Sequence, residues 1–194
     1  MQPLDRRSLA LATISTVVEW YDFTLFLYLT TVVSRLFFVG ENAVLTTLAG
    51  FAVAYLLRPI GAIVFGHFGD RHGRRATLLA SMTLMTVAMG LTALLPTVAQ
   101  IGPAAGMLLL LLRCVMGFAV GGEYTGVVAY LLEGALPHRR GLVTSLAAAT
   151  SEIGGLLAAG AAVLTVNLLP TPALDAWGWR VPFLIGAALA GAIL

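Results

Sequence analysis

Residues 104–132 have the sequence AAGMLLLLLRCVMGFAVGGEYTGVVAYLL. The stretch is mostly apolar and longer than the roughly 20 residues that a helix needs to cross about 30 Å of hydrocarbon. Membrane β-strands instead alternate apolar and polar residues over about ten positions, and the run 107–112 does not alternate. Residues 104–132 therefore predict a transmembrane helix that carries two ionisable residues, Arg113 and Glu123, inside the membrane.

The rest of the chain repeats this pattern. Of the 194 residues, 59% are hydrophobic and only 10% are charged, whereas an average soluble domain has roughly 25% charged residues. We therefore expect an all-α integral membrane protein, a single domain over 1–194 that forms a six-transmembrane-helix bundle. The last predicted helix rises only about 24 Å at 1.5 Å per residue and is shorter than the others. With 104–132, the predicted helices lie at about 9–36, 44–68, 76–95, 142–169 and 179–194.

Charge and cysteine content exclude several classes of function. The eleven basic residues are all Arg, they are dispersed, and the net charge is only +2, so no nucleic acid partner is expected. The single cysteine, Cys114, supports neither a disulfide framework nor a Cys-based zinc site, and no metal or cofactor is predicted. Protease, hydrolase, dinucleotide and Walker signatures are absent from the sequence. We therefore expect no enzyme activity, and any energy for transport would come from an ion gradient.

The arginines also predict the orientation in the membrane, because short cytoplasmic loops carry an excess of positive charge. With both termini in the cytoplasm, seven arginines lie in cytoplasmic segments and two, Arg35 and Arg180, lie outside. Trp177 and Trp179 are then expected at the outer membrane boundary. The apolar run after Met1 is too long for a signal peptide and is treated as the first helix. The predicted location is a bacterial-type inner membrane.

Apart from Arg35 and Arg180 at helix ends, six charged residues fall inside the predicted helices. Each costs about 2.5 to 3.5 kcal/mol at the centre of a bilayer unless it faces another charge, a polar cavity or water. Carboxyl groups in such positions form proton relays in transporters, whereas a static ion pair that joins two helices is the alternative. The six residues are Glu19, Asp22, Arg58, Arg113, Glu123 and Glu152.

The acids are the candidate proton-coupling residues. Glu19 and Asp22 are three residues apart and share one face of the first helix, which indicates a polar stripe toward the bundle interior. We predict Asp22 as the main proton site and Glu19 as the second. Glu123 and Glu152 are weaker candidates, for which a structural role is equally compatible with the sequence.

Arg113 and Arg58 are the candidate substrate-binding residues, with Tyr124 as a weaker one. Gly117 and Gly121 follow Arg113 at four-residue spacing and allow a neighbouring helix to approach closely, although plain packing explains the glycines equally well. Arg113 would then pair with an acid on another helix, most simply Asp22, or bind a substrate carboxylate. Arg58 precedes Pro59, which predicts a kink beside a buried cation. The alternative is an arginine that bonds the carbonyls freed by this proline.

The segment from Gly66 to Arg75 carries a family resemblance. Its sequence, GHFGDRHGRR, resembles the G-x-x-x-D-R-x-G-R-R signature of the major facilitator superfamily, on the cytoplasmic side after the second helix. The resemblance implies a gating loop that changes partners between inward-open and outward-open states, whereas retention of positive charge inside is the alternative role. The residues concerned are Gly66, Asp70, Arg71, Gly73, Arg74 and Arg75.

Further stretches are similar to the metabolite:proton symporter branch of that superfamily: 19–23 (EWYDF), 58–61 (RPIG) and 177–183 (WGWRVPF). Carriers of this branch have two six-helix halves and move small organic acids or zwitterionic osmolytes with protons. The resemblance therefore implies the N-terminal half of such a carrier, working by alternating access in a lipid bilayer.

The implied partners are a small-molecule metabolite, protons, and either the missing C-terminal six-helix half or a second copy of this chain. Two other interpretations stay open. One is a non-transporting truncated fragment or assembly module, which the short last helix would suit. The other is a half-transporter that acts as a parallel homodimer.

Overall fold

Helices make up almost all of the described chain. A computed structural model describes the backbone over residues 6–133 and 140–192, and the side chains there except at 6–12, 74, 75, 123–133, 140, 143, 146 and 147. No β-strand occurs in these ranges, as the fold class predicted. The helices are α1 (Arg6–Tyr28), α2 (Thr30–Phe37), α3 (Ala43–Leu56), α4 (Arg58–His72), α5 (Arg74–Leu94), α6 (Val98–Ile101), α7 (Ala104–Glu133), α8 (Arg140–Leu168), α9 (Thr171–Ala173) and α10 (Arg180–Gly191), with a π-helical turn at Leu174–Gly178.

The first two apolar stretches are each divided into two helices. The interruption at Leu29 is local, because helical hydrogen bonds to Leu25 and from Val33 continue across it. At Leu57 the backbone N–H instead bonds Ala54, one residue short of the α-helical partner. Pro59 lacks an N–H and cannot donate to the preceding turn, so the helical hydrogen bonds are interrupted there, and the bond from Gly61 N–H to Leu57 O (2.9 Å) resumes them. Arg58 is consequently the first residue of α4.

Four helical stretches of the described residues are long and apolar enough to cross a membrane. The helix α1 carries Glu19 and Asp22 within its apolar sequence, and α10 is only 12 residues long in the described part. Both pack against the other helices, and many large apolar side chains of the bundle are exposed, as expected for a surface that faces lipid. The four stretches are Ala43–His72, Ala76–Leu94, Ala104–Gly122 and Ala148–Leu168.

The helix α7 lies at the centre of the packing, in contact with α3, α4 and α5, while α1 packs along α8 and α10 packs on α5 and α1. Glycines make the α7 contacts close. A Cβ atom at Gly117 would collide with the carbonyl oxygen of Ala54, and one at Gly121 with that of Arg58. The backbones therefore touch where α3 ends and α4 begins.

The two tryptophans that precede α10 differ in exposure. Trp177 is half-exposed, as expected of a boundary residue, but Trp179 is fully buried and packs edge-on against Phe37 and Phe183. The apolar body of an indole contributes more to a core than to a surface when aromatic partners surround it.

The two arginines predicted outside both have partners at this end of the bundle. Arg35 forms a salt bridge with Asp175, in which its Nε lies 3.0 Å from Oδ1. Arg180 donates to the backbone carbonyl oxygens of Ala176 (2.7 Å) and Leu95 (3.1 Å). Arg35 thus connects α2 with the π-helical turn, and Arg180 connects α10 with the end of α5.

The close glycine contact gives a test of the packing. Gly117→Ala should lower the free energy of unfolding by about 1–3 kcal/mol or more, because the added methyl must displace the backbone of Ala54. Gly160→Ala is the matched control, since a Cβ there meets nothing within 4 Å. It should leave stability unchanged or raise it by up to about 1 kcal/mol. Thermal unfolding of both purified variants in detergent measures the difference, and equal shifts would contradict the contact.

Candidate functional site

A cleft lies between α1, α3, α4 and α7 and contains about 360 Å³ of empty space, part of it open to the surroundings. Two acids and two arginines line it, so their formal charges balance. Aromatic and apolar side chains form the rest of the wall. The charged residues are Glu19, Asp22, Arg58 and Arg113, and the other wall residues include Phe23, Phe51, Tyr55, Met116 and Val120.

The inner part of the cleft is a buried ion pair between α1 and α7. Nη1 of Arg113 donates to Oδ2 of Asp22 at 2.7 Å, and Nη2 lies 3.5 Å from Oδ1. The two side chains are only 3% and 4% exposed. The predicted pairing of Arg113 with Asp22 is thus observed, although Gly117 and Gly121 make their close contacts with α3 and α4 and not with α1. Each residue of the pair neutralises the other in a place where an isolated charge would be strongly unfavourable.

Arg113 has a second hydrogen-bond partner, which the sequence analysis missed. Its Nη2 donates to Oγ1 of Thr92 at 3.1 Å, and Thr92 in turn donates to the carbonyl oxygen of Ala88 at 2.8 Å. The guanidinium also lies 4.9 Å from the ring centre of Phe26. Thr92 is one of several threonines in α5, and nothing in its sequence context distinguishes it from the others.

A second ion pair in the cleft joins Glu19 and Arg58, and we call it the outer pair because its arginine is partly exposed. Nη1 of Arg58 lies 3.4 Å from Oε1 of Glu19, a long hydrogen bond. The Arg58 side chain is 20% exposed, whereas that of Glu19 is 2% exposed. Cζ of Arg58 lies 5.0 Å from the ring centre of Phe23 and 4.6 Å from that of Tyr55. The described contacts of Arg58 are therefore with a carboxylate and two rings, and the predicted alternative of a bond to freed backbone carbonyls is not observed.

Local sequence explains how both arginines reach the cleft. The break at Leu57 places Arg58 at the start of a new helix, and Gly117 and Gly121 bring α7 against that break. Arg113 lies one turn before Gly117 on α7, and its side chain reaches Asp22 on α1. Tyr55 could have been noticed in the sequence, because it precedes Arg58 by three residues.

The remaining predicted acids do not join these pairs in the described structure. Glu152 is exposed on α8 and is not among the residues that line the cleft. The side chains of Glu123 and Tyr124 lie outside the described residues. Among the described side chains, the site therefore contains the predicted acids Glu19 and Asp22 and both predicted arginines.

The signature segment is not a loop. The helix α4 continues through Asp70 and Arg71 to His72, and α5 begins at Arg74, so Gly73 alone forms the reversal. Gly73 has φ +89°, a conformation that side-chain-bearing residues rarely adopt. Asp70 and Arg71 are exposed on the last turn of α4, while Gly66 lies within this helix. The side chains of Arg74 and Arg75 lie outside the described residues.

This arrangement can hold a proton or an anion. A carboxylate paired with an arginine can accept a proton when the pair separates, and an arginine released in this way can bind another carboxylate. No group of three or more His, Cys, Asp or Glu residues that could hold a metal ion occurs among the described residues. The arrangement therefore supports binding and proton exchange.

Comparison with known proteins shows relatives over most of the chain. The ectoine/proline transporter ProP of Corynebacterium glutamicum is 40% identical over 185 residues, which are 91% of this chain and 36% of the relative. The shikimate transporter of Escherichia coli is 38% identical over 177 residues, which are 89% of this chain and 40% of the relative. The chain thus spans about two-fifths of the length of the curated relatives that it matches.

The fold also matches that of a solved transporter structure. A solved structure of the proton:xylose symporter XylE, of the major facilitator superfamily, superimposes with a TM-score of 0.83 at 22% identity. The match covers 95% of this chain and 42% of XylE. The family model described as "Sugar (and other) transporter" matches residues 9–194. The chain therefore belongs to the sugar (and other) transporter family of the major facilitator superfamily and is an integral membrane protein.

Proposed function

We propose that this chain supplies the N-terminal half of a proton-coupled transporter, which moves a small metabolite across the membrane by alternating access. The observation that carries the proposal is the buried Asp22–Arg113 pair at the inner end of a cleft between membrane helices. The metabolite would be an organic acid or a zwitterionic osmolyte, and relatives named for shikimate and for ectoine and proline support this class.

The proton step uses the inner pair. When Asp22 is ionised, its charge holds Arg113 at 2.7 Å. A proton bound to the Asp22 carboxylate removes that attraction and leaves Arg113 with its hydrogen bond to Thr92. The arginine is then a buried cation without a full partner, which is a high-energy arrangement in a medium of low dielectric constant. The contact between α1 and α7 therefore has two states, one with Asp22 ionised and one with Asp22 protonated.

The outer pair and the signature segment complete the cycle that we propose. Glu19 acts as the second proton site, and the positive charges of Arg58 and Arg113 attract the carboxylate of the substrate to the cleft. The exposed Asp70 and Arg71 at the cytoplasmic end of α4 contact the other half in one state and release it in the other. Glu123, Glu152 and Tyr124 stay predictions from the sequence, as proton-coupling and substrate-binding residues.

A second six-helix half would close the open side of the cleft. The stretches Ala43–His72 and Ala148–Leu168 bury few of their residues inside the described bundle, so they present apolar surface to a further partner or to lipid. The chain covers 42% of XylE, which leaves room in that fold for one more unit of similar size. A second copy of this chain, related by a rotation about the membrane normal, is the alternative partner.

The proton site is tested by Asp22→Asn in the complete protein. Asparagine keeps the shape of the side chain but cannot gain and lose the proton. We expect proton-driven accumulation of substrate in proteoliposomes to fall to the equilibrium level, whereas exchange of labelled for unlabelled substrate continues. Glu41→Gln, an exposed change in the connection between α2 and α3, should leave accumulation unchanged.

Asp22→Asn is also expected to lower the free energy of unfolding, so the stability of the variant is measured together with its transport. Loss of one partner from a buried ion pair costs about 3–5 kcal/mol, and the double variant Asp22→Asn with Arg113→Gln should recover part of that loss. Uphill uptake by a folded Asp22→Asn variant at the wild-type level would refute the assignment of Asp22.

The hydrogen bond from Arg113 to Thr92 gives an independent prediction. Thr92→Val should remove a hydrogen bond from a charged group, worth about 1.5–3 kcal/mol, and lower the maximal transport rate about tenfold or more. Thr92→Ser should retain the bond and most of the rate. The matched control is Thr86→Val, because Thr86 bonds only the carbonyl of Met82 on the same helix. Equal losses of rate in the two valine variants would contradict a specific role for Thr92.

A further inference from the structure

We propose that Arg58, and not Arg113, binds the carboxylate of the transported metabolite, and that the rings of Phe23 and Tyr55 orient Arg58 for this contact. The inference rests on the proposed function and assigns the substrate anchor within the same cleft. The ligand class is defined by its carboxylate, which organic acids and zwitterionic osmolytes share.

The two arginines differ in their exposure and in their hydrogen-bond partners. Arg113 is 3% exposed, and both of its terminal nitrogens donate to Asp22 or Thr92. Arg58 is 20% exposed and, within the described structure, donates one hydrogen bond, to Glu19 at 3.4 Å. The other N–H groups of Arg58 have no partner among the described residues and belong to a partly exposed side chain, whereas the N–H of Arg113 that has no described partner, at Nε, is buried.

Aromatic rings hold the Arg58 guanidinium in one position. Its Cζ lies 5.0 Å from the ring centre of Phe23 and 4.6 Å from that of Tyr55. The two ring centres are 6.1 Å apart, so the rings do not lie on opposite sides of the guanidinium and do not sandwich it. The remainder of the group is left for Glu19 and for a ligand. A guanidinium that is already oriented loses less conformational entropy when it binds a planar carboxylate through two parallel hydrogen bonds.

Charge balance connects this anchor to the proton. The four ionisable side chains of the cleft, Glu19, Asp22, Arg58 and Arg113, sum to zero when all are ionised. A substrate carboxylate adds a negative charge and competes with Glu19 for Arg58, and two carboxylates close together disfavour each other's ionised form. We therefore expect the binding of the carboxylate to be accompanied by the uptake of a proton from solution.

Ligand binding to the complete purified protein tests the assignment. The probes are proline and shikimate, each compared with its methyl ester, which has no carboxylate. We expect a carboxylate probe, and not its ester, to raise the unfolding temperature of the wild-type protein and to take up protons from a weakly buffered solution. Arg58→Lys should weaken binding at least tenfold, because lysine cannot form the paired hydrogen bonds. Arg35→Lys, at the outer end of the bundle, is the control and should bind as wild type does.

The rings are tested without removing the arginine. Tyr55→Phe keeps a ring beside Arg58 and should bind within about twofold of wild type, whereas Tyr55→Leu should bind severalfold more weakly. This pair keeps the assignment testable if Arg58→Lys fails to fold, since Tyr55 is half-exposed and both variants retain Arg58 and Glu19.

The outcomes separate the two proposals. Wild-type binding and proton-driven accumulation of a carboxylate probe, together with unchanged binding in Arg58→Lys or Tyr55→Leu, would overturn the role of Arg58 and leave the proposed function standing. No binding of either carboxylate probe and no proton-driven uptake by the wild-type protein would overturn both. Binding of the ester as tightly as the acid would also overturn the carboxylate anchor.

Discussion

A charged arginine inside the membrane requires a fixed anion beside it, and the bundle is arranged to satisfy this requirement. Arg113 is 3% exposed and sits 2.7 Å from Asp22, with Thr92 as a further acceptor. These three residues come from α7, α1 and α5. The pair therefore fixes the relative positions of three helices and is the polar centre of an otherwise apolar interior.

Backbone chemistry makes this arrangement possible. Pro59 cannot donate a helical hydrogen bond, so the second apolar stretch breaks and places Arg58 at the start of α4. Gly117 and Gly121 let α7 touch the backbone at that break. Larger side chains at these glycines would move α7 away from α3 and α4, and the cleft that contains both charge pairs would change shape.

The two charge pairs differ in a way that suits different tasks in the proposed transporter. The inner pair is almost inaccessible, has short contacts and has an additional hydrogen bond, so a change in its protonation has a large effect on the helices. The outer pair has a long contact and a partly exposed arginine, so it can exchange one carboxylate for another at lower cost. The helix α4 begins at Arg58 in the cleft and ends at His72, about 20 Å away, so this one helix connects the cleft with the signature segment.

The sequence by itself determined the membrane class, the all-α fold and the short set of ionisable residues inside the membrane. These features depend on local properties, namely hydropathy over about 20 residues, helical periodicity and a fixed signature. Only the tertiary structure decided that Thr92 supports Arg113, that Glu19 faces Arg58, that Glu152 lies outside the cleft and that Trp179 is buried. Each of these depends on which helix faces which and at what distance. That geometry results from packing between residues far apart in the chain, and no local pattern encodes it.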